Sequence, residues 1–501
     1  MQMNCERSIK FLDLETINIE KEIALKIPKE FAYKNLVIPF NIENNKVHVV
    51  MAEPYNKDII EELKFLLSSN IQIYVATSEK IKETIENIYS KKIFDNAVKQ
   101  LGEEININNM FLSEDSDDIK HAPAVEIVDT VIKKAISNKA SDIHFEPFEN
   151  YVRIRMRIDG VLHEILRMPR EIYSSVITRI KVSSGMDISQ KLLPQDGKKS
   201  AVIDENFYNF RVSSIPTFYG EKIVIRILYN NSSLLSLDVL GFDNKSKNEI
   251  KKMVLKTKGI ILITGPTGSG KTTTLHAMVN AMDKTSKNII TIEDPVEYRI
   301  DGITQININN KSGLTFANAL RSVLRQDPDV ILVGEIRDEE TAEIAVRAAV
   351  TGHLVLSTMH TYDSINSVLR LMDMNIPKYL IQEAITAVVA QRLVRKICPR
   401  CITEYIPNQT ERNNLRIGIG DVLYKGKGCS FCNYTGYYGR KVVYEILEIN
   451  NDFREALFNR INIKNIKKMC LSNGFVSFKE NCRQIVINGE TTYQEYLKIL
   501  L

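Results

Sequence analysis

The sequence predicts a multidomain α/β chain organised around a parallel sheet covered by helices. Three observations lead there. From residue 259 onward a strand–turn–helix rhythm repeats through IILIT, NIITI, DVILVG and LVLST, as in a helix-covered parallel sheet. The first of these apolar runs opens directly into GPTGSGKTTT and then a helical pattern, LHAMVNAM. Two CxxC pairs, Cys398/Cys401 and Cys429/Cys432, lie 27 residues apart and mark a small separate module.

Composition bounds the rest. A chain of 501 residues suggests about three domains. Its 44% hydrophobic and 26% charged content is that of a globular protein. With 66 basic and 62 acidic residues, the balance does not point to nucleic acid by electrostatics. No run approaches the roughly 18 apolar residues of a membrane span. The opening MQMNCERSIKFLDLE lacks the apolar stretch of a secretory signal. The expected location is the cytoplasm, with membrane contact made through partners. In that reducing compartment, paired cysteines argue for metal rather than disulfides. Cys5, Cys470 and Cys482 stand alone.

Along the chain, residues 1–90 read as a small α/β unit. KNLVIPF and KVHVVMA form strands around an IENN turn, KDIIEELKFLLSS is helical, IQIYVA is a strand, and Thr77 or Ser78 caps SEKIKETIENIYS. Residues 91–122, polar and including SEDSDD, read as a mobile linker. Residues 123–235 form a second α/β unit. Val125, Val128, Ile132 and Ala135 give one helix face, and SDIHFEP precedes YVRIRMRIDGVLHEIL, an alternating strand with an Asp159-Gly160 hairpin turn. The sheet core spans 236–396, the cysteine module 397–440, and a helical tail 441–501.

GPTGSGKTTT supplies Gly265, Pro266, Thr267, Gly268, Ser269, Gly270, Lys271, Thr272 and Thr273. Glycines let backbone N–H groups converge on phosphate oxygens, and a helix N-terminus adds partial positive charge. Lys271 is placed to reach the β- and γ-phosphates of ATP, and Thr272 to ligate Mg²⁺. Glu335 follows the apolar DVILVG. If that strand lies beside IILIT, Glu335 faces the phosphates and can orient or deprotonate an attacking water. The competing reading is a capping acid for the IRDEETAEIAVRAAV helix. The usual Walker-B aspartate is absent, since Gly334 precedes Glu335.

GPTGSGKTTT, TIEDPVE, LRQDPDVILVGEIRDEETA and TGHLVLSTMHT occur in that order, with SDIHFEP, LPQDG and the paired cysteines. Together they resemble the ATPases of type II secretion and type IV pilus assembly, the GspE/PilB group. The resemblance covers 123–501 strongly and 8–90 moderately. It implies a RecA-like P-loop core, a preceding PAS-like α/β domain and a small N-terminal docking domain. It also implies site roles: Glu293 as a second acid near Mg²⁺ and the γ-phosphate, His360 as γ-phosphate sensor, and His353 as a support for that box. Arg211 and Arg226 match arginines that the second domain presents to nucleotide, and Arg321 and Arg325 match a further pair. The implied assembly is a homo-hexamer acting on an inner-membrane platform protein, with cytoplasmic docking partners and only peripheral membrane association. Tyr362, Leu192 and Lys198 depart from the family pattern. Cyclic dinucleotide binding by the N-terminal domain is poorly supported, because an upstream leucine/glycine motif is missing.

Cys398, Cys401, Cys429 and Cys432 suit tetrahedral Zn²⁺ in a closed structural site, with Arg395, Lys396 and Arg400 nearby to favour thiolates. The module argues for extension or secretion motors over retraction motors, which typically lack it. Pilus assembly is slightly favoured over type II secretion. A DNA or RNA translocase with a zinc ribbon is the alternative, and no basic stripe interleaved with aromatics supports it.

Overall fold

The computed structural model describes residues 10–14, 17, 19–110, 122–229, 236–459 and 462–500. The chain divides into two compact units, Met1–Tyr229 and Asn230–Leu501.

The first unit holds two sheets. One has four strands in the order Lys10–Phe11, Asn70–Val75, Lys46–Met51, Val37–Glu43. Val37–Glu43 and Lys46–Met51 pair antiparallel, and both turn residues between them, Asn44 and Asn45, take positive φ. That is the backbone a tight hairpin needs, and asparagine tolerates it. Val37, Ile38, Val49, Val50 and Leu63 fill the core beneath.

Thr77 accepts from the Lys80 N–H, and the helix that starts at Ser78 runs to Met110. This corrects the linker expected over 91–122 as far as Met110. Phe94, Ala97 and Leu101 recur at helical spacing and are buried against the Ala122–Ser137 helix. With Val98 packed beside them, these few apolar positions in a polar stretch suffice for a narrow helix seam. The SEDSDD stretch lies outside the described residues.

The second sheet is antiparallel, in the order Val161–Pro169, Tyr151–Ile158, Asp142–Pro147, Gly220–Tyr229, Asn206–Thr217, Gln195–Ile203. Its alternation is clean. Ile143, Phe145, Val152, Ile154, Met156, Ile223 and Ile225 pack under the helices, while Arg153, Arg155 and Arg157 point to the opposite face.

The second unit carries a seven-stranded sheet: Thr304–Asn307, Ile289–Glu293, Val330–Val333, Leu354–Met359, Gly259–Thr264, Ile385–Ile397, Tyr437–Glu448. The first six are parallel, and the last is antiparallel to Ile385–Ile397. Two cores sandwich it, with Ile260 and Leu262 in one, and Ile261 and Ile263 in the other. Burial on both faces explains why these strands read as continuous apolar runs. The expectation of a wholly helical 441–501 needs correction. Residues up to Glu448 complete the sheet, and only then do the helices Asn451–Phe458, Ile463–Ser472, Phe478–Ile487 and Tyr493–Leu500 follow. Val442, Val443 and Leu447 are buried in three different cores, on both faces of this strand, so no alternating pattern marks it.

In the full chain, amides of residues 94–101 should exchange with deuterium slowly, on the timescale of the neighbouring Ala122–Ser137 helix. Phe94→Ala should accelerate that exchange. Exchange within seconds in the parent would restore the linker reading.

Candidate functional site

The site grows from the carboxyl edge of the seven-stranded sheet. Gly259–Thr264 is fully buried and delivers the chain into the glycine-rich loop. Gly265 takes φ 146°, and a Cβ there would lie 2.2 Å from the Gln391 carbonyl. Only glycine permits that approach. Gln391, itself buried, donates through Nε2 to the Ser269 carbonyl at 2.8 Å, so the adjacent strand clamps the loop. Gly270 takes φ 85° and starts the Lys271–Asn280 helix. Lys271 Nζ donates to the Gly265 and Pro266 carbonyls at 2.9 and 3.0 Å. Burial pulls its pKa down and the nearby Glu335 carboxylate opposes this. Ser269 Oγ is buried without a partner, and a Cβ at Gly268 would meet open space. A roomy loop with an orphaned hydroxyl, a buried lysine and a helix N-terminus fits a phosphate chain.

Glu335 lies at the same edge. The premise that DVILVG neighbours IILIT fails, because Leu354–Met359 lies between them. The edge is nevertheless shared, since all three strands are parallel. Thr358 Oγ1 donates to the Gly334 carbonyl at 2.7 Å, and the Ile336 N–H donates to the Thr358 carbonyl. The intervening strand thus fixes the turn that carries Glu335. His360 Nε2 stands 3.4 Å from Glu335 Oε2, and Arg337 Nε 2.8 Å from Oε1. The helix cap proposed as a competing role belongs to Asp338, whose carboxylate accepts the Thr341 N–H. Gly334 has its own reason: a Cβ there would lie 3.1 Å from the Ile292 carbonyl. Any side chain there would press on the Ile292 carbonyl unless that strand end gave way by a few tenths of an ångström.

Glu293 is buried at the end of its strand. Oε1 accepts from Thr291 and Gln305 at 2.8 and 3.1 Å, and Oε2 from His276 Nε2 at 3.0 Å. Burial pushes the carboxyl up, but the His276 bond and charge, with Thr291 and Gln305, outweigh it and hold the pKa below the usual range. His276 sits on the phosphate-loop helix, so this pair ties that helix to the TIEDPVE segment. Thr273 adds a second tie, to Tyr298.

The two histidines of TGHLVLSTMHT part company. His360 is beside Glu335, whereas His353 precedes the strand and bonds back to the Ala348 carbonyl. A six-residue strand separates them by roughly 20 Å, so His353 sits at the opposite edge and does not support the box directly. Arg321 pairs with Glu340 at 2.5 Å, and Arg325 donates to the Arg321 carbonyl and Ser322. Both are exposed. In the first unit, Arg211 and Arg226 are cross-strand partners. Arg226 Nε donates to Asp142 at 2.8 Å, while Arg211 Nη2 is buried without a partner. Arg153, Arg155 and Lys222 converge on Glu146. The SDIHFEP acids therefore organise this basic face. Burial pushes Glu146 up, yet the Arg155 and Lys222 bonds bring it down to about 2.

The four cysteine sulfurs lie within 4.8 Å of one another. Cys398–Cys429, Cys401–Cys432 and Cys429–Cys432 are 3.8, 3.9 and 3.7 Å apart. A tetrahedron with Zn–S bonds of about 2.3 Å has edges of about 3.8 Å, so the cluster fits zinc. Backbone N–H groups of Gly428, Cys429 and Gly436 point at the sulfurs of Cys401 and Cys432. The expected help from the Arg395 and Arg400 side chains needs correcting, although the Arg400 backbone N–H bonds to Cys398 and partly offsets the burial that raises its pKa. Arg395 pairs with Glu495 and lies over the Tyr437 ring, and Arg400 lies over Phe431. Burial pushes Cys398 and Cys401 up and Cys429 up to about 11. Cys432 goes down, because N–H donors outweigh its burial.

A glycine-rich loop, its lysine and a carboxylate on one edge of a helix-covered parallel sheet define a P-loop ATPase core. Comparison with known proteins narrows this class. The family model for Type II/IV secretion system proteins matches residues 117–498, and that for the MshEN domain residues 7–93. The Type IV pilus assembly ATPase PilB of Myxococcus xanthus is 38% identical, over 97% of this chain and 88% of its own. The Type II secretion system protein E of Dickeya dadantii is 43% identical, over 77% and 78%. Among solved structures, the pilus retraction motor PilT with bound ADP aligns with a TM-score of 0.51 at 25% identity, covering 74% of this chain and 95% of its own. The Legionella pneumophila ATPase DotB shares the fold, with a TM-score of 0.56 at 21% identity over 74% and 95%. The chain belongs to the Type II/IV secretion system protein family and is an ATP hydrolase of the GspE/PilB-like traffic ATPase group.

Gln391, His276 and Gln305 escaped the sequence reading. Each is a lone polar residue in an apolar or strand-like run, and only the fold shows what it holds.

Proposed function

We propose that this chain is the cytoplasmic ATPase of a homo-hexameric motor. The motor drives pilin or pseudopilin assembly through an inner-membrane platform protein, with pilus extension slightly favoured. The single observation that carries the reading is the convergence of Lys271, Glu335 and His360 on one sheet edge. No helix among the described residues is long and apolar enough to cross a membrane, which suits a motor that reaches the membrane through partners.

In this reading Lys271 leaves its loop carbonyls to hold the β- and γ-phosphates. Thr272 would hold Mg²⁺, which when bound neutralises phosphate charge. Glu335 orients and deprotonates the attacking water, and His360 beside it senses the γ-phosphate. Glu293 acts from behind, keeping the phosphate-loop helix and the TIEDPVE segment in register through His276. Arg211, Arg226, Arg321 and Arg325 are assigned to transition-state charge, delivered from another domain or subunit, so that hydrolysis depends on assembly. The antiparallel sheet unit is read as the PAS-like domain, and the N-terminal unit as the one that docks to membrane machinery. The four cysteines bind one structural Zn²⁺ with no open position.

Glu335→Gln should lower kcat at least about 100-fold while retaining ATP binding. Used as bait with ATP in native cells, it should retain a polytopic membrane protein together with pilins. Parental turnover would remove Glu335 from the mechanism, and capture of DNA-processing proteins alone would favour a translocase. Metal analysis should find one zinc per chain, with apparent affinity rising with pH, because bound thiols must lose protons that burial retains. Cys429→Ser should lose the metal and lower Tm. Parental Tm without zinc would contradict the structural role.

A further inference from the structure

One buried carboxylate lies outside every role described so far. Glu445 sits on the Tyr437–Glu448 strand, opposite Ala390 of Ile385–Ile397, and is 5% exposed. Its Oε1 accepts the Ser364 N–H and Ser364 Oγ–H, both at 2.8 Å. Its Oε2 accepts the Phe478 N–H at 3.1 Å. Ser364 and Phe478 are the first residues of two different helices, Ser364–Asp373 and Phe478–Ile487. The carboxylate therefore faces the positive ends of two helices, which stabilises an anion away from water. Those donors do not fully offset its burial and the nearby Asp363 charge, and the pKa stays raised.

The Ser364 helix is directly connected to the catalytic edge. Thr361 Oγ1 meets Ser367 Oγ at 2.5 Å. Thr264 Oγ1, at the mouth of the phosphate loop, donates to the Thr361 carbonyl at 3.0 Å and also meets the Thr361 hydroxyl. His360 is the next residue back. Asp363 caps the same helix through the Asn366 N–H, and Lys467 of the Ile463–Ser472 helix pairs with Asp363 at 3.1 Å.

We infer that Glu445 is a positioning residue: it fastens the turn carrying His360 and Thr361 to the C-terminal helices, so that their placement sets the placement of His360. This rests on the reading of His360 as a γ-phosphate sensor. The C-terminal helices would then act on turnover without touching nucleotide. Nucleotide affinity should be largely spared, because Gln391 holds the loop through the Ser269 carbonyl and Lys271 rests on the Gly265 and Pro266 carbonyls, neither of which is bonded to the Ser364 helix.

The test compares ATPase kinetics of the full chain carrying Glu445→Gln, His360→Ala, or both, with Tm measured alongside. Glutamine keeps the shape but turns an amide N–H₂ toward an existing donor. Glu445→Gln should lower kcat about tenfold, the effect of one lost charge-assisted hydrogen bond, with KM for ATP unchanged to within about twofold. In the His360→Ala background it should cost nothing further. Ser364→Ala, which removes one donor and little volume, should give about a two- to threefold loss of kcat, also absent in that background. It decides the matter if Glu445→Gln does not fold. An equal loss in both backgrounds overturns the tie alone. So does parental kcat for Glu445→Gln, or a rise in KM without loss of kcat. His360→Ala at parental kcat overturns the sensor reading, and this inference with it.

Discussion

The parallel pairing of Gly259–Thr264 with Leu354–Met359 is the constraint on which the site depends. Six residues align in register, from Gly259 opposite Leu354 to Thr264 opposite Met359. The pairing ends in hydroxyl and backbone bonds between Thr264 and Thr361. A strand slipped by one residue would turn every side chain to the other face. Because both faces are packed, such a slip would disturb two cores at once. The register therefore places the phosphate loop and His360 side by side. The next strand along adds Glu335, held through Thr358. Chemistry at the edge is a consequence of strand alignment, not of proximity in sequence.

Two kinds of acid serve this edge. Glu335 is partly accessible and flanked by Arg337 and His360, an arrangement compatible with the proposed contact with water. Glu293 is buried with both oxygens engaged by protein donors. In that arrangement it stabilises the frame, and its assignment as a second acid near Mg²⁺ would require His276 to release it. Removing one partner from such a buried pair costs more than the pair contributes when intact. His276 and Glu293 should therefore be harder to substitute singly than their distance from the phosphates suggests.

Much of this was legible in the sequence. The phosphate loop needs glycines, lysine and threonine in contiguous order, so local spacing reveals it. The cysteine cluster is equally local, since each CxxC presents two sulfurs by itself. The buried parallel strands betray themselves by unbroken apolar runs. What stayed hidden depends on contacts between distant segments. Strand order was misjudged because nothing in DVILVG says that LVLST intervenes. The helical seam of Phe94, Ala97 and Leu101 was lost in polar composition. Arg395 and Arg400 looked like thiolate partners by position, but Glu495 and two aromatic rings claim them. Gln391 and Glu445 carry no motif, since a clamp made from one side chain has no spacing to recognise.

The central claim is that one sheet edge gathers the groups that handle the γ-phosphate. A crystal structure of the full chain with Mg²⁺ and a non-hydrolysable ATP analogue tests it most directly. Lys271 Nζ should leave the Gly265 and Pro266 carbonyls for the phosphates. His360 should lie within about 3 Å of a γ-phosphate oxygen, with Glu335 in hydrogen-bond reach of an adjacent water. Nucleotide bound at the loop with Glu335 and His360 both turned away, and Glu293 alone facing the γ-phosphate, would contradict the account.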